Sequence, residues 1–411
     1  MNAGDKVHVS TDREFEGIVM PSSTGERLVL KLDGGYNVGI DRADATVDVI
    51  ERDVYDVADR DPDGESAIEF DADLPTIALI STGGTIASTV DYRTGAVTAR
   101  FDAEDVLRAV PELAGRANYR GRVVANILSE NMTPGIWRDL AEAIHEEIAA
   151  GADGVVVMHG TDTMAFSAAA TAFALDSPVP IVFTGSQRSA DRPSSDNVMN
   201  AVCAVEAAKG DCAEPLICMH ETESDDRCAL HRGVRARKNH TSRRDAFDTV
   251  GRRPLGTVDY ETGNASFRRE YRERGAVDLA LDPAMNEDVE LVQFVPGMSE
   301  RLLDTALEAD GVVIAGTGLG HVHSDRIAAL EAATPETVVA MTSQCLEGRV
   351  CDRVYDNGRD ILEAGVVEVE DTLPETAYVK LMWVLANRDD PGRAMRESLA
   401  GECTHRSTPW R

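Results

Sequence analysis

Thr76-Ile-Ala-Leu-Ile-Ser-Thr-Gly-Gly-Thr85 and Gly154-Val-Val-Val-Met-His-Gly-Thr-Asp-Thr163 decide the fold of this chain. Each is a short run of strand-forming residues that stops in a tight loop carrying a threonine. In open α/β sheets, ligands bind in the crevice outside the carboxyl ends of the strands. The hydroxyls of Thr85 and Thr161 and the carboxylate of Asp162 are therefore expected to face one cleft.

The alternation continues outward from these two stretches. Thr133 reads as an N-cap with Pro134 at the first helical position. Ile136, Leu140, Ala141, Ile144 and Ile148 then line one helix face until Gly151 ends it. Val123–Ile127, Pro180–Thr184 and Leu216–His220 read as further strands, with a helix from about Ser195 to Lys209 between the last two. This pattern predicts a parallel, doubly wound α/β lobe over residues 75–270. Residues 262–288 are charged and irregular, and 271–288 form the connection to a second α/β lobe, 289–411. That lobe carries strands near Glu290–Val295, Gly311–Ala315 and Val338–Thr342 and a helix from about Thr376 to Ala386. Gly316-Thr-Gly-Leu-Gly320 is too short for a dinucleotide loop and reads as a strand-end turn.

The N-terminal residues follow a different pattern. Lys6–Val9, Glu16–Met20, Leu28–Leu32, Tyr36–Ile40 and Thr46–Ile50 alternate in polarity, with Asp33-Gly-Gly35 as the clearest hairpin turn. Such short strands in so few residues predict a small β-barrel over 1–55. Residues 56–74 follow as an acidic linker, and the segment is rich in aspartate.

The chain has 72 Asp and Glu against 41 Lys and Arg, a formal charge of −31. A solvated shell suited to a very salty cytoplasm explains this best, because screening is strong there and net charge maintains solubility. An acidic surface matched to a basic partner is the alternative, while the apolar periodic segments argue against disorder. A charge of this sign makes the chain a poor nucleic-acid binder by itself. No apolar stretch approaches membrane-spanning length and Met1-Asn-Ala-Gly-Asp-Lys6 lacks a signal-peptide core, so a cytoplasmic protein without membrane attachment is expected. The seven scattered cysteines never form a Cys-x-x-Cys pair, which fits a reducing compartment and argues against a zinc site.

Candidate chemistry concentrates in four places. Thr85 needs a base or preorganised donors, and the double glycine before it leaves backbone N–H groups free to hold an oxyanion. Asp162 either caps the following helix or accepts a substrate ammonium and pairs with a lysine; His159 reads as packed against its strand. Lys238 is one of only five lysines, and a lysine can lose its proton on desolvation whereas an arginine effectively cannot. A general base therefore explains the residue choice. Ser129 and Glu130 suit the carboxylate and ammonium of a free amino acid, or cap a helix, and the loop Gly185–Arg192 reads as another wall of the site.

The motifs around Thr85, Ser129, Thr161-Asp162 and Lys238 occur in an order that resembles the bacterial-type L-asparaginase family across about residues 75–390. The resemblance implies a two-lobed, asparaginase-like parallel-sheet α/β fold behind the small barrel. The barrel, the linker and Arg235-Ala-Arg-Lys-Asn-His-Thr-Ser-Arg-Arg-Asp-Ala-Phe247 are more similar to one branch, the glutaminase D subunits of archaeal glutamyl-tRNA(Gln) amidotransferases. That branch implies hydrolysis of L-glutamine and delivery of ammonia to the amidotransferase E subunit, which amidates Glu on tRNA(Gln) using ATP and Mg. No cofactor is then expected in this chain, tRNA contact is mainly through the partner, and a homodimer within a heterotetramer follows. Carried over by position, Thr85 is the nucleophile and Thr161, Asp162 and Lys238 the threonine–aspartate–lysine group. Ser129, Glu130, Gly84 and Gly160 fall at substrate-binding positions, and Tyr92 is the candidate for a mobile-loop tyrosine. Glu130 departs from the glutamine common in simple asparaginases, and Tyr92 lies closer to the first threonine than theirs does. Thr85 is favoured over Thr161 as the attacking group, which sequence alone leaves open. A stand-alone cytoplasmic L-asparaginase is the alternative.

Overall fold

The computed structural model describes residues 4–20, 26–32, 37–52, 54, 71–83, 110–188, 194–351, 353–404 and 406. Thr85, Gly84 and Tyr92, most of the linker and the Asp33-Gly-Gly35 turn lie outside the described residues. The five N-terminal strands are β1 (Lys6–Ser10), β2 (Glu14–Met20), β3 (Arg27–Leu32), β4 (Asn37–Asp41) and β5 (Thr46–Glu51). They pair antiparallel in the order β4-β3-β2-β1-β5. The two outermost strands, β4 and β5, are joined by a single 3-10 turn, Arg42–Asp44, so the sheet must curl on itself in the manner of a small barrel. Val7, Val9, Val19, Leu28, Leu30 and Ile40 fill its interior. Alternation along each strand is what delivers them to one face.

The first α/β lobe is built on β6 (Thr76–Ser81), β7 (Asn118–Val123), β8 (Gly154–Met158), β9 (Leu175–Asp176), β10 (Ile181–Thr184) and β11 (Pro215–His220). Next come β12 (Arg227–Arg232), β13 (Ala236–Lys238), β14 (Phe247–Thr249), β15 (Gly256–Asp259), β16 (Ala265–Phe267) and β17 (Ala280–Leu281). Eight of these make one sheet, ordered β16-β15-β12-β11-β10-β8-β6-β7. The half formed by β7, β6, β8, β10 and β11 is parallel, as the apolar runs predict, and β8, β10 and β11 are buried along their whole length. Helices α1 (Pro134–Ala149), α2 (Met164–Ala174) and α3 (Asn197–Ala208) cover it. Thr133 accepts from the Ile136 amide at 3.4 Å, Pro134 opens α1, and Leu140, Ala141, Ile144 and Ile148 are buried as expected. Fully burying Leu140 or Ile144 is worth about 1.5–3 kcal/mol each.

Three expectations are corrected. The strand placed at Val123–Ile127 is Asn118–Val123: β6 ends at Ser81, which pairs with Val123, so a strand running further would have no ladder to join. Val124 and Ile127 instead donate to the carbonyls of Ser81 and Thr82 at 2.9 and 3.2 Å, folding over the end of β6. The sheet is mixed, because β12, β15 and β16 add antiparallel to β11. The hairpin into β12 was hidden by its charged loop, Glu221–Asp226, and by the arginines at both ends of the strand. The stretch 262–288 is also less irregular than its composition suggests, since it supplies β16 and β17.

The second sheet contains β18 (Val289–Gln293), β19 (Gly311–Gly316), β20 (Val338–Ser343) and β21 (Val367–Glu368), all parallel. Its helices are α4 (Glu300–Ala306), α5 (Ile327–Ala333), α6 (Asp356–Glu363), α7 (Pro374–Asn387) and α8 (Pro391–Arg396). The glycine motif at 316–320 is a strand-end turn, closed by Thr317 and His321 exchanging backbone bonds at 2.9 and 3.0 Å. Among the described residues, no helix is long and apolar enough to cross a membrane.

The link between β12 and β13 ties the two sheets together. Gly233 lies where a side chain would press within 3.0 Å of Ala168 on α2, so the chain passes tightly over that helix. Thr376 at the start of α7 donates to the Val234 carbonyl at 3.1 Å. Arg235 is buried, pairs with Asp371 at 3.2 Å, and donates to the Asp371 and Gly401 carbonyls at 2.9 and 3.2 Å. Burial alone would raise the Asp371 carboxyl, but Arg235 and two bonds from Thr404 hold it below its ordinary value. A lowered folded value means the stabilisation is fully present above the unfolded value and is lost as pH falls through the folded one. Arg235→Met is expected to lower the unfolding free energy by about 3–5 kcal/mol at neutral pH in a urea titration. The gap from wild type should narrow as the pH drops below about 4, the unfolded value, and on through the lowered folded value, beneath which Asp371 is protonated in both proteins. A gap that is absent at neutral pH, or unchanged in acid, would refute this account of the junction.

Candidate active site

The carboxyl ends of β6 and β8 lie side by side, with Ser81 paired to Met158. The loop after β8 is short because α2 begins at Met164, only six residues beyond the strand. Its shape is set from beneath by His159. The ring is buried, with Nδ1 2.7 Å from the Gly160 carbonyl and Nε2 2.8 Å from Ser167 Oγ. A carbonyl can only accept, so Nδ1 carries the proton and Ser167 donates to Nε2, while Trp137 Nε1 donates to Ser167 Oγ at 3.0 Å. Burial lowers the imidazole pKa from its ordinary 6.5 to about 4, so His159 is neutral at pH 7 and serves as a bracket for the loop. Packing against the strand is what its position in the sequence suggested.

Lys238 closes the site from another direction. It ends β13, opposite Phe247 in the β13–β14 hairpin. Its Nζ donates to Thr161 Oγ1 at 2.9 Å and to Asp162 Oδ1 at 2.8 Å. The other carboxylate oxygen, Asp162 Oδ2, accepts from Ser129 Oγ at 3.4 Å. Thr161 and Ser129 are buried, while the Asp162 side chain is 69% exposed and that of Lys238 only 12%. An exposed carboxylate gains little stability from its ion pair. Its exposure leaves it open to an incoming ammonium.

Asp162 does not cap α2, which has Thr163 at its N-cap position without a side-chain cap bond. Thr163 instead donates to the Ser129 carbonyl at 2.8 Å, fixing the two loops against each other. Gly160 faces the same serine so closely that a methyl group there would lie 2.6 Å from Ser129 Cβ. Ser129, Gly160, Thr161, Asp162 and Lys238 therefore converge. Glu130 is exposed one residue on, and among the described residues it makes no hydrogen bond or ion pair to the cluster. The N–H groups of Thr161 and Asp162, in the loop that leads into α2, donate to no acceptor among the described residues.

Sequence reasoning missed Thr163 and Asp196. The latter is buried and gathers the amides of Gln187 and Arg188, each at 2.9 Å, folding the Gly185 loop beside Thr161. An aspartate followed by Asn197 at the start of α3 was the available signal.

Comparison with known proteins places the fold and the family. Residues 76–272 match the family model "Asparaginase, N-terminal", 288–396 match "Glutaminase/Asparaginase C-terminal domain", and 1–50 match "GatD N-terminal domain". The chain is 66% identical to the glutamyl-tRNA(Gln) amidotransferase D subunit of Halobacterium salinarum, over 99% of this chain and 98% of that one. Identity to the D subunit of Haloquadratum walsbyi is 62%, covering 99% of both, and to that of Methanosarcina acetivorans 50%, covering 98% of both. This chain belongs to the family of glutamyl-tRNA(Gln) amidotransferase D subunits. Within solved structures, the thermostable L-asparaginase from Thermococcus kodakarensis matches with a TM-score of 0.71 and 29% identity, over 80% of this chain and 99% of that one. The asparaginase-like two-lobed fold expected from the motifs is thus observed.

Lys238→Arg keeps the charge but replaces a compact amine with a planar, permanently protonated group. Its amide-hydrolysing turnover is expected to fall about 100-fold or more, with the melting temperature within about 3 °C of wild type. Turnover near the wild-type value would rule out the amine as proton carrier.

Proposed function

We propose that this chain hydrolyses the side-chain amide of L-glutamine at the cluster around Lys238, and that the ammonia released serves a partner subunit that converts Glu-tRNA(Gln) to Gln-tRNA(Gln). The observation that carries the hydrolytic reading is the Lys238 amine on Thr161 Oγ1, braced by Asp162. Glutamine's α-ammonium meets Asp162 and Glu130, and its α-carboxylate meets Ser129. A threonine hydroxyl adds to the amide carbon; Thr85 is the favoured nucleophile, and Thr161 passes its proton to Lys238 acting as an uncharged amine. N–H groups of the glycine-bearing loops, Gly84 and Gly160 among them, hold the oxyanion. The proton returns to the leaving nitrogen, ammonia departs, and water cleaves the threonine ester to give glutamate. Tyr92 is proposed as a loop residue over the substrate.

The partner role rests on the extent of the match. The D-subunit relatives cover 99% of the chain, N-terminal sheet included, whereas the L-asparaginase from Thermococcus kodakarensis covers 80%. A stand-alone asparaginase would leave that sheet without a counterpart. The partner is the amidotransferase E subunit, which is expected to bind ATP, Mg and most of the tRNA, with two copies of each polypeptide in a cytoplasmic assembly. This chain itself needs no cofactor for amide hydrolysis. Its formal charge of −31 accords with relatives from Halobacterium and Haloquadratum and with a salty cytoplasm. The test is ammonia release from glutamine, with and without the partner, Glu-tRNA(Gln) and ATP. Release that rises when partner and charged tRNA are present supports the reading, whereas full asparagine-hydrolysing activity in their absence, without response to them, would refute it.

A further inference from the structure

A line of polar side chains, buried over its inner half, runs behind the site and joins two of its walls. The first wall is the Gly185 loop, where a side chain on Gly185 would come within 2.9 Å of Thr161 Cγ2. The second is the hairpin of β13 and β14, whose loop follows Lys238 directly. Asn200 of α3 donates through Nδ2 to the Gly185 carbonyl at 2.9 Å and to Asp196 Oδ2 at 3.0 Å. Both partners are acceptors, which fixes the amide's orientation and turns Oδ1 toward His220. His220, at the end of β11, donates from Nδ1 to that oxygen at 2.6 Å. On its other side, Nε2 reaches Asp225 Oδ1 at 3.2 Å. Asp225 pairs in turn with Arg244 Nη1 at 2.5 Å, and Arg244 also donates to the Glu223 carbonyl.

Arg244 lies in the hairpin loop whose stem Asn239 and Ala246 close at 2.7 Å. The line therefore starts at the wall touching Thr161 and ends six residues from the lysine that bonds to it. Asn200, Asp196 and His220 are buried, so the bonds among them lie in a low-dielectric interior where loss of one partner is costly, whereas the Asp225–Arg244 link is exposed. None of these side chains contacts the Thr161–Asp162–Lys238 group directly.

We propose that Asp196, Asn200, His220, Asp225 and Arg244 form a strut that sets the distance between the Gly185 loop and the Lys238 hairpin, with His220 as its central positioning residue. The proposal rests on the amide-hydrolase reading for its kinetic test. Reacting groups displaced by about 1 Å lose roughly 100-fold in rate, and the strut controls displacement of the amine relative to Thr161. Ser129, which is held by Thr163, is outside its reach.

The experiment uses the full chain, with its partner subunit if the wild type requires it. Arg244→Met removes the outer, partly exposed link, and His220→Asn keeps a donor toward Asn200 while losing Asp225. Each is expected to lower kcat for glutamine about 10- to 100-fold, with KM within about threefold. Arg244→Lys, which retains a cation for Asp225, should recover most of the loss. Because the links act in series, the double variant should be no slower than the slower single variant. Hydrogen exchange at the Gln187 and Arg188 amides should quicken in Arg244→Met, a readout independent of any activity. An inactive wild type would count against the amide-hydrolase reading alone, leaving exchange to judge the strut. Unchanged exchange, wild-type kcat in both single variants of an active enzyme, or losses that multiply in the double variant would overturn the proposal.

Discussion

The contact on which the site depends is a single amine held between a hydroxyl and a carboxylate. Lys238 Nζ meets Thr161 and Asp162 although 77 and 76 residues separate them in the chain. Local preference cannot form such a contact. It exists because β8 delivers its loop to the sheet's carboxyl edge, while the β12–β13 link is pressed against α2 at Gly233 and clamped to the second sheet by Arg235 and Thr376. Stability and chemistry thus share one segment. The buried ion pair beside Lys238 costs desolvation that its hydrogen bonds offset, and in return the lysine's backbone has few alternative positions.

Parts of this were legible in the sequence and parts were not, for physical reasons. Fully buried parallel strands such as Gly154–Met158 need an uninterrupted apolar run, and such runs stand out. The helix at Pro134 carries its own cap and stop signals. Lys238, Thr161, Asp162 and Ser129 were legible from residue type and loop position, and they converge. Strand β7 was misplaced because an edge strand, only half covered, keeps polar residues such as Arg120 and Arg122 and looks less strand-like than the apolar stretch that follows it. The antiparallel half of the sheet was hidden because β12 is flanked by arginines and entered through the charged loop Glu221–Asp226. Asp196, Asn200 and His220 gave no periodic signal, since their role is defined by partners distant in sequence.

Charge separates surface from site. The chain is strongly acidic, yet the cluster uses one cation whose side chain is largely covered. In concentrated salt, exposed charges are screened within a few ångströms, whereas the covered Lys238 amine touches Asp162 at 2.8 Å, inside that range. A net charge of −31 can therefore adapt the surface to its solvent without perturbing the pairing within the pocket. The same separation explains why lysine, replaced by arginine almost everywhere else in this chain, is kept at position 238.

A double-substitution cycle in ammonia release between Thr161→Val and Lys238→Met tests the central contact most directly. If the hydroxyl and amine act as one unit, the doubly substituted enzyme will be no slower than the slower of the two singly substituted ones. Losses that multiply, each residue acting without regard to the other, would contradict the account.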